Sequence, residues 1–279
     1  MLPLSPLLLL LLLTLTAAPA SAQSAAAQSA DAAKASVVRP PVTPTGSGRM
    51  WIGREKEIEE FIATAPIERF ESIPIGVTKP RRGFFPPGSL VASIAFKPLP
   101  PKRSGGFFES YKSEIAAYKL DRLLGLGMVP PTVEKRVKHE VGSAQLWIEG
   151  CKFLKDLKDQ KAPDTNAWNR QVYRQRVWDN LIANIDRNQG NLLVDSEWNL
   201  VLIDHSRAFT NTGQMPFPMT RIDREFFNRL KALTEEDLET HLRGLLFDGP
   251  KPLLKRRDRI VQEFEKRIAQ YGEAAVLID

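Results

Sequence analysis

Cysteine is nearly absent from this 279-residue sequence, which contains only Cys151. A single cysteine cannot form a disulfide within the chain, so the stability of the fold has to come from a hydrophobic core. Hydrophobic residues make up 43% and charged residues 26% of the sequence. These ordinary fractions exclude a fibrous or wholly disordered chain, and the length allows one or two domains.

Positive charge is missing from the first residues, "MLPLSPLLLLLLLTLTAAPASAQS", where a Leu-rich run precedes small residues at Ala20 and Ala22. Signal peptidase accepts this small-x-small pattern, so we predict a signal peptide over residues 1–22 that is cleaved after Ala22. The alternative is an uncleaved membrane anchor. Because the apolar run over residues 7–18 is shorter than the roughly 20 residues that span a bilayer, we expect export to the periplasm or the extracellular space without a stable membrane span.

Large apolar side chains are also lacking from about residue 23 to residue 49, a segment composed mainly of Ala, Ser, Thr and Pro. Such a segment cannot bury enough surface to offset its loss of conformational entropy. We therefore predict a disordered linker over residues 23–50, with ordered structure beginning near Met50 and Trp51.

The basic residues do not form one stripe, and the net charge of +6 is distributed in short runs such as Arg81-Arg82. A nucleic-acid-binding protein more often concentrates its basic residues and interleaves them with aromatic ones. We predict a solvated basic surface and no nucleic-acid partner, with Lys255, Arg256 and Arg257 on the exposed face of a terminal helix. An acidic or phosphorylated partner stays open.

The sequence contains no internal repeats, and its first half has short β-branched and aromatic runs separated by Gly and Pro. After a helix in "GREKEIEEFIATAP", strands are predicted in "IERFESIPIGVTKPRRGFF" and "SLVASIAFKPLP". A helix follows in "FESYKSEIAAYKLDRLLGLG", ended by Gly125 and Gly127, and two more strands come after it. This pattern predicts a small strand-rich α+β lobe with one helix over residues 51–150.

The remaining residues, 151–279, predict a mainly helical second lobe. A helix is expected in "AWNRQVYRQRVWDNLIANID", followed by a β-hairpin in "NLLVDSEWNLVLID" with its turn near Asp195. Two helices are expected to close the chain. The first has a capping-box-like start, with Thr234 three residues before Asp237.

Three oxygen-bearing side chains flank the predicted hairpin. Asp186 and Asn191 lie five positions apart in "IDRNQGN", the spacing of the Asp and Asn in the protein-kinase catalytic loop. Asp204 follows the second strand of the hairpin, where its carboxylate would lie beside Asn191. Phosphoryl transfer from ATP needs a carboxylate near the attacking hydroxyl and oxygen ligands for Mg²⁺. Asp186 is the candidate for the first task, and Asn191 and Asp204 are the candidates for the second.

The same chemistry needs a cation at the nucleotide phosphates. Lys97 lies late in a predicted strand and Glu114 lies early in the following helix, so the two could pair. Gly76 and Thr78 are candidates for a loop that covers the phosphates, because Gly permits close approach of the backbone. The candidates for contact with adenine lie in the connection between the lobes, at Ile148 and Glu149.

These motifs, preceded by "YKSEIAAYKLDRLLGLGMVPPTV", resemble the atypical kinases related to the Golgi casein kinase and four-jointed group. The "DRNQGN" loop is also similar to those of HipA-type Ser/Thr kinases and phosphatidylinositol 3- and 4-kinases. The resemblance implies a bilobal, protein-kinase-like α+β fold that uses ATP and Mg²⁺. It implies Asp186 as the catalytic carboxylate, with Asn191 and Asp204 as metal ligands. Lys97, paired with Glu114, would then hold the nucleotide phosphates.

The resemblance covers roughly residues 67–270 and leaves alternatives open. The secreted animal enzymes rely on disulfides that this chain lacks, and "DHSRAF" stands where other families have different residues after the Asp. A pseudokinase that binds a nucleotide without chemistry, or an AMP transferase on the same fold, would use the same residues. The acceptor could be a hydroxyl of a protein, a glycan or a lipid, and the oligomeric state is also open.

Several side chains near the candidates have simpler interpretations. Asp186 and Arg187 could form an ordinary ion pair at a helix end, and Asn191 could be a turn residue. We expect His205 to be structural, because adjacent side chains on a strand point to opposite faces. Arg207 could contact an acceptor group or a phosphate, or form a structural salt bridge.

Overall fold

The computed structural model describes residues 49–74, 79–104, 107–157 and 160–279. The predicted signal peptide and nearly all of the predicted linker lie outside the described residues, as do the candidate loop residues Gly76 and Thr78. Within the described ranges, no helix is both long enough and apolar enough to cross a membrane.

The first half of the chain is built on an antiparallel sheet. Its strands, in chain order, are β1 (Arg69–Ser72), β2 (Arg81–Phe84), β3 (Ser93–Lys97), β4 (Lys102–Ser104), β5 (Phe107–Glu109), β6 (Thr132–Val137) and β7 (Glu140–Leu146). Five of them form the sheet, in the order β1-β2-β3-β7-β6, and β4 pairs with β5 in a separate hairpin that the sequence did not predict. Helix α1 (Glu55–Thr64) contacts β6 and buries Ile58 and Ile62, which lie one helical turn apart.

Helix α2 (Tyr111–Leu124) follows β5 and has clear sequence signals at both ends. At its start, the Ser110 hydroxyl accepts a hydrogen bond of 3.0 Å from the backbone N–H of Lys112. At its end, Gly125 has a φ of 63°, a left-handed conformation that glycine adopts without steric cost. The predicted end of the helix at Gly125 is therefore confirmed.

The second half of the chain is mainly helical. Its elements are β8 (Lys152–Phe153), α3 (Thr165–Leu181), β9 (Leu192–Val194), β10 (Leu200–Leu202), β11 (Ile222–Asp223), α4 (Arg224–Ala232), α5 (Glu235–Leu242), α6 (Lys251–Tyr271), α7 (Glu273–Val276) and β12 (Leu277–Ile278). Strands β8, β9 and β10 form an antiparallel sheet that contains the predicted hairpin, and β11 pairs in parallel with β12. The capping box at Thr234 and Asp237 is present. The prediction of two closing helices is incomplete, because four helices follow Asp223.

The two larger clusters of buried apolar side chains lie in the two halves of the fold, and a third, small cluster contains Leu99, Tyr111 and Ile115. One includes Trp51, Ile94 and Phe96 and lies against the five-stranded sheet. The other includes Trp178 and Phe264 and draws on the apolar residues of α2 as well as on the helices of the second half. Because α2 also contacts β6 and β7, it joins the sheet to the helical half.

The predicted exposed face on the terminal helix α6 is wrong at Arg256. This side chain is 3% exposed, and its guanidinium donates to the backbone carbonyl oxygens of Leu181 and Thr210 at 2.8 and 2.9 Å. Leu181 is the last residue of α3, where carbonyl groups have no partner within the helix. Arg256 therefore satisfies buried acceptors, while its neighbour Lys255 is exposed as predicted.

Candidate active site

A cleft of about 470 Å³ lies between the five-stranded sheet and the β9–β10 hairpin. This volume is within the range of small-molecule binding sites. The cleft is lined by predicted site residues from both sides of the fold: Lys97, Ile148, Glu149, Asn191 and Asp204.

Lys97, the last residue of β3, forms two ion pairs in the cleft. It pairs with Glu114 on α2, and its Nζ lies 2.8 Å from Oδ1 of Asp204, which follows β10. Glu114 is also held from the other side, because its Oε2 accepts a hydrogen bond of 3.0 Å from the backbone N–H of His205. One lysine thus joins the sheet, α2 and the segment after the hairpin, and the predicted contact between Lys97 and Glu114 is present.

The two ion pairs set the charge of the groups involved. Burial by itself lowers the pKa of Lys97, but the carboxylates of Asp204 and Glu114 outweigh burial and raise that pKa above its ordinary value. In return, the charge of Lys97 lowers the pKa of Asp204 to about 2. Asp204 is therefore ionised at neutral pH, which is the form that coordinates a hard divalent cation.

The backbone at Asp204 has a left-handed conformation, with a φ of 60°. A residue with a side chain adopts this conformation at a cost of order 1–3 kcal/mol, and such residues cluster at functional sites. The surroundings hold it in place. The backbone N–H of Ile203 donates to the carbonyl oxygen of Asn191 at 3.2 Å, and the Ser206 hydroxyl donates to Asp204 Oδ1 at 3.2 Å.

Asn191 ends a short 3₁₀ turn that leads directly into β9. Its backbone contact with Ile203 brings it next to Asp204, as the predicted hairpin requires. Its amide Nδ2 lies 3.5 Å from the backbone carbonyl oxygen of Asp186. Within the part of the chain that the structure describes, no group of three or more His, Cys, Asp or Glu side chains could hold a metal ion.

Asp186 lies in the loop before Asn191, with 43% of its side chain exposed. Its Oδ2 accepts a hydrogen bond of 3.0 Å from Nη1 of Arg207. The rest of the Arg207 guanidinium donates to Oε1 of Glu109, from Nε at 2.8 Å and from Nη2 at 2.7 Å. Sequence reasoning missed Glu109, because no local pattern connects it to a residue 98 positions away.

The interpretation of Arg187 as the ion-pair partner of Asp186 is wrong. The side chain of Arg187 is only 2% exposed, and its guanidinium pairs with the buried carboxylate of Asp179 at 3.0 Å. Its Nη1 donates to the backbone carbonyl oxygens of Asn191 and Ile203, at 2.8 and 2.7 Å. Arg187 therefore ties the loop that carries Asn191 to the end of the hairpin and leaves the Asp186 carboxylate to Arg207.

His205 is structural, as expected. It is fully buried, and its Nε2 lies 2.9 Å from Nη2 of Arg187. Burial, and then the charge of Arg187, lower the pKa of His205 well below its ordinary value. The ring is therefore neutral at physiological pH, and Nε2 accepts the hydrogen bond from Arg187.

The connection that follows β7 forms another part of the cleft. Ile148 is buried, and Glu149 pairs with Arg82 on β2. The guanidinium of Arg82 lies 4.4 Å from the ring centre of Trp147. The prediction of a solvated basic surface is therefore wrong at Arg82. The alternation of side chains along β2 and β3 could have placed Arg82 on the cleft side of the sheet. Arg82 lies opposite Ala95, and both residues line the cleft.

Comparisons with known proteins identify the fold. No protein-family model matches the chain, and no curated protein matches it significantly. The crystal structure of the Golgi casein kinase with Mn/ADP bound has a TM-score of 0.58 and 15% sequence identity, covering 81% of this chain and 79% of that chain. The structure of hydra Fam20 with sugar has a TM-score of 0.60 and 17% identity, covering 81% and 92%. The chain has the fold of an atypical kinase.

The atypical-kinase fold confirms the resemblance and the kinase-like α+β fold predicted from the sequence. At these sequence identities the likeness extends to the fold alone. The chemistry of this chain has to be argued from its own side chains.

Proposed function

We propose that the protein is an atypical kinase that transfers the γ-phosphoryl group of ATP to a hydroxyl group of a protein, a glycan or a lipid. The observation that carries this proposal is the convergence of Lys97, Asn191 and Asp204 on one cleft of a kinase-like fold, with Glu114 paired to Lys97 from behind. Catalysis of phosphoryl transfer depends mainly on charged side chains that are held in position around the phosphates and the acceptor. The cleft brings such charges together from residues as far as 107 positions apart.

In this proposal the nucleotide lies along the cleft. Lys97 binds the α- and β-phosphates, and Glu114, which is 2% exposed, keeps the ammonium group in place. The adenine ring lies against Ile148 and beside Glu149, where the connection between the lobes lines the cleft. We assign Gly76 and Thr78 to the covering of the phosphates on the strength of the sequence alone.

The residues present also fit a magnesium ion. Asn191 supplies an amide oxygen and Asp204 a carboxylate that Lys97 keeps ionised, and Mg²⁺ is usually held by one or two protein oxygen ligands together with phosphate oxygens and water. When bound, the ion would neutralise charge on the phosphates. The Golgi casein kinase was solved with Mn/ADP bound, which supports a divalent cation with an adenine nucleotide.

Asp186 would act on the acceptor. Its carboxylate orients the acceptor hydroxyl and accepts its proton while the acceptor oxygen forms a bond to the γ-phosphorus. The bond between the γ-phosphorus and the bridging oxygen breaks, and that oxygen leaves with ADP. The exposed position of Asp186 leaves room for an acceptor to approach.

Transfer of label from γ-labelled ATP to the purified chain, in the presence of magnesium, tests the proposal. We expect label on the wild type and on a control variant, Asp248→Asn, which changes an exposed Asp. We expect none on Asp204→Asn. Label from α-labelled ATP would instead identify an AMP transferase, and nucleotide binding without any label would leave a pseudokinase or a kinase whose acceptor is absent from the assay.

We also propose that the cleft separates two lobes, residues 51–150 and 151–279.

We propose further that the chain is exported. The support for export is the Leu-rich segment with Ala20 and Ala22. Cleavage after Ala22 is checked by sequencing the N-terminus of the secreted protein. Recovery of a chain that still begins at Met1 would contradict the proposed cleavage.

A further inference from the structure

The Asp186 carboxylate is one end of a chain of charged groups that reaches α2. Arg207 contacts Asp186 through Nη1 and Glu109 through Nε and Nη2. Glu109 immediately precedes Ser110, the residue that caps α2. Because Glu109 is only 5% exposed, its carboxylate has lost most of its contact with water and depends on the guanidinium for compensation.

The backbone on both sides of Arg207 is fixed to the start of α2. The N–H of Ser110 donates to the carbonyl oxygen of Ser206 at 2.9 Å. The hydroxyl of Ser113 donates to the carbonyl oxygen of Ala208 at 3.3 Å. The backbone around Arg207 is therefore held by the start of α2, and its guanidinium is held by Glu109. The position of the guanidinium relative to Asp186 consequently depends on the position of α2.

We infer that Arg207 and Glu109 are positioning residues for Asp186. This inference rests on the proposed function. Asp186 stands in a partly exposed loop, and the planar guanidinium of Arg207 holds its carboxylate in one orientation while Glu109 holds the guanidinium. A displacement of a catalytic group by about 1 Å can lower a rate by about 100-fold, so such a support has a measurable effect.

The segment formed by the end of β5 and the first turn of α2 would then set both sides of the reaction. Glu114 on α2 fixes Lys97 on the nucleotide side, and Glu109 fixes Arg207 on the acceptor side. The two carboxylates are five residues apart in sequence, and both are nearly fully buried. A shift of α2 would therefore disturb the nucleotide phosphates and the acceptor carboxylate together.

The test measures label transfer from γ-labelled ATP to the chain as a function of ATP concentration, per folded molecule. The variants are Arg207→Gln, Glu109→Gln, the double variant, and Arg207→Lys. The matched control is Arg224→Gln, an arginine on α4 that also pairs with two carboxylates, those of Glu273 and Asp279. A thermal melt of each variant reports its folded fraction.

We expect Arg207→Gln to lower the maximal rate by about 10- to 100-fold, with the half-saturating ATP concentration changed by less than about twofold. Glu109→Gln should lower the rate in the same way but less. The double variant should be no slower than Arg207→Gln alone, because both residues act through one contact. Arg207→Lys should recover part of the rate, and Arg224→Gln should match the wild type.

An unchanged rate per folded molecule in Arg207→Gln, with only a lower melting temperature, would make the pair purely structural and overturn the inference. A rise in the half-saturating ATP concentration instead of a fall in rate would place Arg207 at the nucleotide and also overturn it. If the folded wild type neither binds ATP nor transfers label, the proposed function fails, and the positioning role fails with it.

Discussion

Glu114 has a buried carboxylate whose compensation comes from two donors, the Lys97 ammonium and the backbone N–H of His205. Removing one partner of a buried ion pair leaves an uncompensated charge, which typically destabilises a protein by about 3–5 kcal/mol. At this residue the requirements of stability and of the proposed chemistry coincide. A substitution of Lys97 should therefore affect both.

We predict that Lys97→Met lowers the free energy of unfolding by about 3–5 kcal/mol, measured by urea denaturation. The double variant Lys97→Met with Glu114→Gln removes the buried charge as well, so we expect it to recover part of the loss. If Lys97→Met were as stable as the wild type, Glu114 would not depend on Lys97 for compensation.

Asp121, near the end of α2, provides a prediction for pH. Its buried carboxylate accepts a hydrogen bond of 3.0 Å from the backbone N–H of Met128, and burial raises its pKa to about 7. An unfolded Asp has a pKa of about 3.9. Between these values the folded state binds more protons than the unfolded state, so this group makes stability fall as the pH rises through the window.

We therefore expect Asp121→Asn to show a smaller loss of stability than the wild type between roughly pH 5 and roughly pH 8. Urea unfolding at the two pH values measures the difference. If the free energy of unfolding changed equally between the two pH values in the wild type and in the variant, Asp121 would not titrate in this range in the folded protein.

At the scale of elements, β7 has no room for a side chain at Gly142, beside the end of β3. A Cβ atom added at Gly142 would lie 2.3 Å from the carbonyl oxygen of Lys97 and 2.7 Å from Cα of Pro98. Both are backbone atoms, so the strands themselves would have to move apart. Glycine at this position therefore lets β3 end where Lys97 reaches Glu114 and Asp204.

Gly142→Ala should destabilise the protein by about 1–3 kcal/mol and should also weaken the stabilisation by ATP and magnesium in a thermal melt. The control is Gly213→Ala, where an added Cβ would be 3.4 Å from a flexible arginine side chain. A normal ATP response in Gly142→Ala would show that the position of Lys97 tolerates a shift of β3.

At the scale of the whole molecule, the parts of the site with local patterns were predictable. The five-residue spacing of Asp186 and Asn191, and the position of Asp204 after a strand, are visible in the sequence. The order of Lys97 before Glu114, together with the need for a cation at the nucleotide phosphates, indicated that the two side chains could pair. Those segments form elements near the predicted positions because turn residues and apolar periodicity agree along them.

The remaining features depend on contacts between distant residues. The contact of Glu109 with Arg207 spans 98 residues, and that of Arg256 with Leu181 spans 75. Charged residues are almost never fully buried unless they are paired, so the burial of Arg256 could be predicted only with its carbonyl partners known. The β4–β5 hairpin was missed because its strands are only three residues long, too short for a pattern of alternation.

We propose that the cleft holds ATP with magnesium through Lys97, Asn191 and Asp204. Calorimetric titration of ATP into the purified chain, with and without magnesium, tests it most directly. We predict binding that strengthens with magnesium in the wild type and in Asp248→Asn, and that loses its dependence on magnesium in Asp204→Asn. Absence of ATP binding by a folded wild type, or equal dependence on magnesium in Asp204→Asn, would contradict the account.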